Sequence, residues 1–356
     1  MDNRKLAEDL FETLLPAETL VSYSAGIHAS IWTGTYPEDH GVWLEWALSS
    51  FPNSAVKISR KMWKIRTLWT FLLKRVTDKA FAYKYIPSAL RPFFKPTCFD
   101  FYRPYFHPKL PSLFQVMISN NVHFNFRYCR KIENIPLRSR GSVEIISLSE
   151  FDALGHLYGP DSVRIQERIG KLFDKIRTIT RNKNEIVLLF SDHGMYSISK
   201  RFDILAPLKR LNLTLGRDYI VFLDSTMARF WATNRETVDK LRAFLSTIPE
   251  GKVISDEYVR QNHLPSDRKF GDVIFLVSPG TEIFPNYFHP LYASYVNGLH
   301  GYDVNGANSK GVFMVNREMT LRKEFSLLSL APLVADYIGV PKPKEWKRGI
   351  ELGLPG

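Results

Sequence analysis

The stretch that decides the fold lies between Ser142 and Gly194: SVEIISLSEFDALGH (142–156), DSVRIQERIGKLFDKIRTITRN (161–182) and NEIVLLFSDHG (184–194). The outer pieces are short apolar, β-branched runs that stop in polar, Gly-containing loops, the pattern of buried strands. In the middle piece Val163, Ile165, Ile169, Leu172, Phe173, Ile176 and Ile179 recur at roughly helical spacing, and Asp161 and Ser162 are candidate N-caps. Strand, helix, strand at this spacing predicts a parallel βαβ unit. Further strands are predicted in DYIVFLDS (218–225), DVIFLVSPG (272–280) and GVFMVN (311–316), and helices over 235–248 and 324–339. The fold class that follows is α/β with a mostly parallel central sheet.

Open sheets of this class bind ligands at the carboxyl ends of their strands, so polar residues just after apolar runs are the first candidates for function. Asp152, His156, Asp192 and His193 qualify. Carboxylate oxygen with imidazole nitrogen is a donor set suited to zinc, or to manganese and similar ions. A third imidazole, His300, stands in GLHGYDVNG, where glycines let the backbone approach closely. Near the front, SYSAGIHASIWTGTYPEDHGVW (22–43) offers Ser24 on a small-residue turn leading into a predicted helix that ends at Thr33–Gly34. A serine there serves as an N-cap or as part of an anion site facing free N–H groups and the helix dipole. Bound to a metal, its hydroxyl would become a nucleophile toward phosphorus.

The chain has 356 residues, 45% of them hydrophobic, enough for one large domain or a core domain with an inserted subdomain. Lys and Arg number 48 against 36 Asp and Glu, a formal charge of +12 that suits phosphate esters, a membrane surface or nucleic acid. The basic residues are scattered and accompany no nucleic-acid motif, which leaves nucleic acid the weakest of the three. Cys98 and Cys129 are too few for a disulfide framework. The N-terminal MDNRKLAEDLFETLL has no basic segment followed by an apolar core, so a cytoplasmic location is the expectation. No run of eighteen apolar residues occurs, which leaves peripheral contact as the membrane option. Residues 50–112, dense in aromatic, basic and proline residues, are expected to form an inserted cap. There Trp63, Trp69, Phe71 and Leu72 alternate with Lys61, Lys64, Arg66, Lys74 and Arg75. Such a helix either lies on an anionic membrane or lipid or packs its aromatics on the core.

The ordered set S…TGTYPEDHG, FDALGHLYGPDS, SDHGM, LHGYD and LAPLVADYIGVP resembles the alkaline phosphatase superfamily, and more narrowly its type I phosphodiesterase/nucleotide pyrophosphatase branch. Within that branch, YSAGIHASIWTGTYPEDHG and DYIVFLDSTMARFW are similar to bacterial members called alkaline phosphatase family proteins. The resemblance implies a three-layer α/β/α catalytic domain over residues 1–356, with the cap at about 50–112 and a smaller subdomain at about 200–298. It implies two divalent ions, zinc or alternatively manganese, one held by Asp152, His156 and His300 and the other by Asp192, His193 and the nucleophile Ser24. The implied activity is hydrolysis of phosphoric mono- or diesters through a covalent Ser24 intermediate.

Three departures qualify the resemblance. The family begins with an apolar strand ending in an Asp that joins Asp192 on its ion, and here the nearest acid is Asp2, with no strand before it. The expectation is that Met1 is internal to a longer reading frame and that the first strand and its ligand are missing. Nucleotide pyrophosphatases also carry an Asn soon after the HG, where HGVWLEW offers only Glu45, so nucleotide diesters are disfavoured as substrates. Finally, Ser24 is followed by Ala25 and Gly26 and no Cys-x-Pro-x-Arg element occurs, which excludes a formylglycine sulfatase. The aromatic, basic insert motivates a second enzymatic reading, phosphotransfer between lipid-linked or polysaccharide intermediates, and the missing first Asp a third, a catalytically inactive scaffold.

Overall fold

A computed structural model of the chain describes residues 3–49, 86–87, 89–97, 110–136, 143–180, 185–288, 296–319 and 323–346. The aromatic, basic helix expected around Trp63–Arg75, most of the cap, and Asp2 fall outside the described residues. The chain runs α1 (Asn3–Glu8), β1 (Thr13–Glu18), α2 (Ser24–Thr33), α3 (Leu113–Ser119), β2 (Phe124–Cys129), β3 (Val143–Leu148), α4 (Glu150–Tyr158), α5 (Val163–Ile179) and β4 (Leu188–Phe190). It continues through β5 (Tyr219–Leu223), β6 (Met227–Ala232), α6 (Arg235–Leu245), β7 (Gly251–Val253), β8 (Val273–Val277), β9 (Gly311–Val315), β10 (Phe325–Ser326) and α7 (Leu330–Ile338), with short strands and turns between.

The hydrogen-bonded order β10–β1–β9–β4 places β1 parallel to β10 and antiparallel to β9, which is itself antiparallel to β4. Strands β10, β1 and β4 therefore share one direction, and β9 is the reversed member. Strands β2 and β3 pair in parallel, Phe124 opposite Val143. Period-two alternation sorts the side chains into two layers. On one face Leu15, Val143, Ile145, Leu188, Phe190, Phe313 and Val315 pack with Ile27 and Ile31 of α2, Phe114 of α3 and Leu333 of α7. On the other, Leu14, Leu189 and Met314 pack with α1 and α5 through Ala7 and Phe173, while Ile146 and Leu148 meet Leu172 of α5. Helices thus cover both faces of a mostly parallel sheet, the three-layer α/β/α arrangement expected from the sequence.

A second sheet, β7–β8–β6–β5, is antiparallel throughout and lies within the stretch expected to form a smaller subdomain. Strands β5, β6 and β8 are buried on both faces, with Phe222, Phe230, Trp231 and Phe275 at the centre, and β7 is the more exposed edge. Each such aromatic contributes about 1.5–3 kcal/mol by leaving water. Strands β3 and β4, in contrast, are half-buried at every position. Among the described residues no helix is long and apolar enough to cross a membrane.

Strands β1, β2, β7 and β10 were not legible in the sequence; β10 lies at the front of the stretch 324–339 expected to be helical, whose α-helix begins only at Leu330. Strand β1 reads TLLPAE, and its Pro16 argues against an interior strand, yet Pro16 lies opposite Val312 in the β1–β9 pair. Strand β2 reads FNFRYC, whose Asn125 and Arg127 interrupt the apolar run; both contact Glu144 across the β2–β3 pair.

Candidate active site

Ser24 is the first residue of α2, half-buried behind Tyr23, whose extended backbone turns the chain into the helix. The helix ends where expected, at Thr33, with Gly34 in the left-handed conformation (φ 58°). The small residues after Ser24 have a steric cause. A Cβ on Gly26 would sit 2.2 Å from the Trp43 carbonyl oxygen and from Ser22 Oγ, so only glycine allows this approach of α2 to the loop behind it.

Asp152 and His156 lie one turn apart on α4, the helix that follows β3, and His156 Nε2 is 3.2 Å from Asp152 Oδ1. His300 Nε2 lies 3.6 Å from the same oxygen. Asp192 and His193 follow β4 directly, with His193 Nε2 3.4 Å from Asp192 Oδ2. The His193 and His300 rings stack at 3.7 Å and 12°, which joins the two groups into one cluster. Among the described residues, Asp152, His193 and His300 present ligand atoms all within 4.8 Å of one another, a triad that crosses the two ligand sets implied by the resemblance. Helix α2, which begins at Ser24, reaches this cluster through His28. His28, one turn further along the helix, places its Nε2 3.2 Å from Asp192 Oδ2.

The hydrogen bonds of the imidazoles show what the cluster is built to hold. His156 Nδ1 donates to the Gly298 carbonyl at 2.8 Å and His193 Nδ1 to the Gly194 carbonyl at 2.9 Å. A carbonyl only accepts, so in the neutral rings each Nε2 carries a lone pair, and each faces a carboxylate oxygen. Two acceptors at 3.2–3.4 Å need a proton or a cation between them. His300 Nδ1 is buried and has no hydrogen-bond partner among the described residues. These residues fit a divalent ion, and the nitrogen and oxygen donors suit zinc, or manganese in a more oxygen-rich sphere.

Without an ion, protons and charges carry the load. Burial disfavours charge on His156, yet Asp152 lifts its pKa above the ordinary imidazole range. Burial also opposes ionisation of Asp152 and Asp192; the nearby imidazoles nevertheless hold both below the usual carboxylate range, His156 foremost for Asp152, and His193 then His28 for Asp192. His300, largely enclosed and beside His193, is driven well below the ordinary imidazole range by its desolvation and by that neighbour.

Two supports of the cluster escaped the sequence reading. Thr19, just after β1, donates from Oγ1 to the Asp192 carbonyl at 2.6 Å. Tyr23, next to Ser24, is tied through its hydroxyl to Thr226 (Oγ1 2.6 Å, N 3.1 Å), and Thr226 Oγ1 donates to the Gly301 carbonyl at 2.8 Å. Gly301 itself has φ 85°, and a Cβ there would lie 2.6 Å from the Tyr23 ring, so the loop bearing His300 closes directly on the residue before Ser24. Nothing in the local pattern around residues 19 or 226 announces these contacts, because each joins segments far apart in the chain.

Solved structures of other proteins share the fold. Human ectonucleotide pyrophosphatase/phosphodiesterase 5 is similar in structure, with a TM-score of 0.65 and 14% identity over 96% of this chain and 90% of that one. An inactive form of the murine ectonucleotide pyrophosphatase/phosphodiesterase 5, in complex with AMP, matches with a TM-score of 0.62 and 15% identity, covering 92% of this chain and 87% of that one. None of the curated proteins matches the sequence. The family model described as type I phosphodiesterase/nucleotide pyrophosphatase matches residues 14–303, a span that holds Ser24 and every acid and imidazole of the cluster, and the chain belongs to that family of phosphoric ester hydrolases.

Proposed function

We propose that the chain hydrolyses phosphoric esters with Ser24 as the nucleophile and with Asp152, His156 and His300 on one side and Asp192 and His193 on the other holding two divalent ions. The observation that carries this reading is the pair of opposed acceptors, His156 Nε2 against Asp152 and His193 Nε2 against Asp192, with the other nitrogen of each ring committed to a carbonyl. Bound there, the ions would supply positive charge to the phosphoryl oxygens and lower the pKa of the Ser24 hydroxyl.

The chain's own residues set the rest. The start of α2 presents Ser24 with the positive end of the helix dipole behind it, a position that favours an approaching phosphoryl group. Ser24 Oγ gives up its proton to solvent and forms the new bond to phosphorus as the bond to the ester oxygen opposite breaks, and that oxygen departs and takes a proton from solvent. Water then attacks the phosphoseryl group, releasing the phosphate product and restoring the hydroxyl. Gly298 and Gly194 hold His156 and His193 in the tautomer that leaves Nε2 bare. Tyr23 and Thr226 keep the His300 loop seated beside Ser24.

The murine relative binds AMP in its solved complex; for this chain we propose only a phosphoric mono- or diester, drawn by the formal charge of +12. The test is hydrolysis of bis(p-nitrophenyl) phosphate and p-nitrophenyl phosphate by protein supplied with zinc or manganese. Ser24→Ala is expected to lower kcat at least about 1,000-fold with ion content unchanged. A Ser24→Ala variant that turns over at the wild-type rate overturns the assignment.

A further inference from the structure

His28 is absent from the ligand sets implied by the resemblance, yet it stands to Asp192 as the implied ligands stand to their own carboxylates. Asp152 Oδ1 is approached by two imidazole nitrogens, His156 Nε2 at 3.2 Å and His300 Nε2 at 3.6 Å. Asp192 Oδ2 is approached in the same manner by His28 Nε2 at 3.2 Å and His193 Nε2 at 3.4 Å. Ligands bonded to zinc at about 2.0–2.1 Å in a tetrahedral arrangement lie about 3.3 Å from one another, and all four contacts cluster around that spacing.

The remaining geometry agrees. His28 is four residues after Ser24 on α2, so the two share one face of the helix, and from that face His28 meets Asp192. The His28 side chain is 15% exposed and Asp192 21%, enclosed enough for the ring to be held in place and open enough for an ion and a substrate to enter. Trp32, one further turn along, lies against the His28 ring with centroids 6.4 Å apart.

We propose that His28 is a ligand of the second ion, which is then held by His28, Asp192 and His193 with the fourth position facing Ser24. Two imidazoles, one carboxylate and one open position form the donor set of a catalytic zinc site, in which the open position receives the reacting oxygen. The open position would belong to the Ser24 hydroxyl or to a phosphoryl oxygen of the substrate. The inference rests on the two-ion reading of the site and adds to it a residue, on the nucleophile's own helix, that couples Ser24 to its ion.

The test reads ion content and coordination rather than turnover. The full chain and its His28→Gln, His28→Ala and His28→Asp variants would be loaded with zinc, dialysed and assayed for ions per chain, then reloaded with cobalt for visible absorption. The wild type is expected to hold two ions. The Gln and Ala variants should hold one, with affinity for the second at least about 100-fold weaker, and lose the cobalt absorption of one site. The Asp variant, which restores an anionic oxygen donor, should recover part of the second site. Glutamine keeps a polar group that can hydrogen-bond Asp192, so retention of two tightly bound ions in the Gln variant would overturn ligation by His28 while leaving the two-ion reading intact. A wild-type protein holding fewer than two ions would overturn both. Melting of the ion-free proteins separates these outcomes from misfolding, since the Gln variant should melt within about 2 °C of wild type.

Discussion

Replacing Tyr23 by phenylalanine isolates the link between the nucleophile and the His300 loop. Thr226 Oγ1 has one hydrogen and gives it to the Gly301 carbonyl at 2.8 Å, so at the 2.6 Å contact the Tyr23 hydroxyl must donate to Thr226 Oγ1. The same hydroxyl accepts from the Thr226 N–H at 3.1 Å. Tyr23→Phe therefore removes one donor and leaves the buried Thr226 N–H without that acceptor, which costs about 1–3 kcal/mol. Spread over a domain of this size, the expected fall in Tm is about 2–6 °C. Because the ring of Tyr23 packs edge-on to His300 at 6.0 Å and its hydroxyl anchors the next residue through Thr226, ion affinity should fall about 10-fold as well. The assays are urea unfolding of the ion-free protein and competition for zinc with a chromogenic chelator. Thr226→Val breaks the same chain from the other end, so the double variant should lose less than the sum of the two single losses. Unfolding free energy within about 0.5 kcal/mol of wild type together with unchanged zinc affinity would refute the proposed coupling.

Two further outcomes follow from charges buried in the fold. Protons and ions compete for the same bare nitrogens, and Asp152 raises the proton affinity of His156 despite its burial, so ion content measured after dialysis should fall on acidification, beginning above the ordinary imidazole range, whereas full retention down to about pH 5 would count against imidazole ligation. Arg229 and Asp224 form a fully buried pair at 2.6 Å, and Arg229 also donates to the Trp46 carbonyl, so Arg229→Met strands a carboxylate and should cost about 3–5 kcal/mol by chemical denaturation. Burial pushes the Asp224 pKa from 3.8 to about 6 even with Arg229 opposing it, so the fold binds a proton that the unfolded chain releases between those values. The contribution of this group is largest at low pH and is lost as the pH rises through about 6. With the guanidinium gone that dependence steepens, and an Arg229→Met variant whose deficit is the same at pH 5 and pH 8 would refute the assignment.

The succession of strand β3, helix α5 and strand β4 was legible because its signals are local, although β3 and β4 do not pair with each other and α4 also lies between them. Leu188, Leu189 and Phe190 stop at a polar SDHG, and α5 keeps its apolar residues on one side for seventeen residues. The order of the strands was not, because β9, whose GVFMV reads like any buried strand, is the reversed member between β1 and β4, and direction leaves no mark in an apolar run. The candidate ligands were found through strand ends and the resemblance. What local pattern could not supply is the distance between segments: that His300, far along the chain, stacks on His193, and that His28 faces Asp192 from another helix. In SAGIHAS the signal was the spacing of four between Ser24 and His28, which marks one helix face but not what that face looks toward.

On the proposed two-ion reading, the cluster also accounts for why the site would take cations to handle an anion. Asp152 and Asp192 are held ionised below the usual carboxylate range, about two negative charges at the point where a phosphoryl group would enter. The imidazoles are arranged to accept rather than donate, since His156 and His193 spend their ring hydrogens on Gly298 and Gly194. A phosphate ester brought to such a surface meets repulsion from both carboxylates, and charged groups elsewhere on the basic surface are screened over about 8–10 Å. On the proposed reading, positive charge between them is what brings the nitrogen lone pairs, the carboxylates and Ser24 at a helix start together, and ions that relieved the opposed acceptors would also reverse the sign of the field a phosphate ester meets.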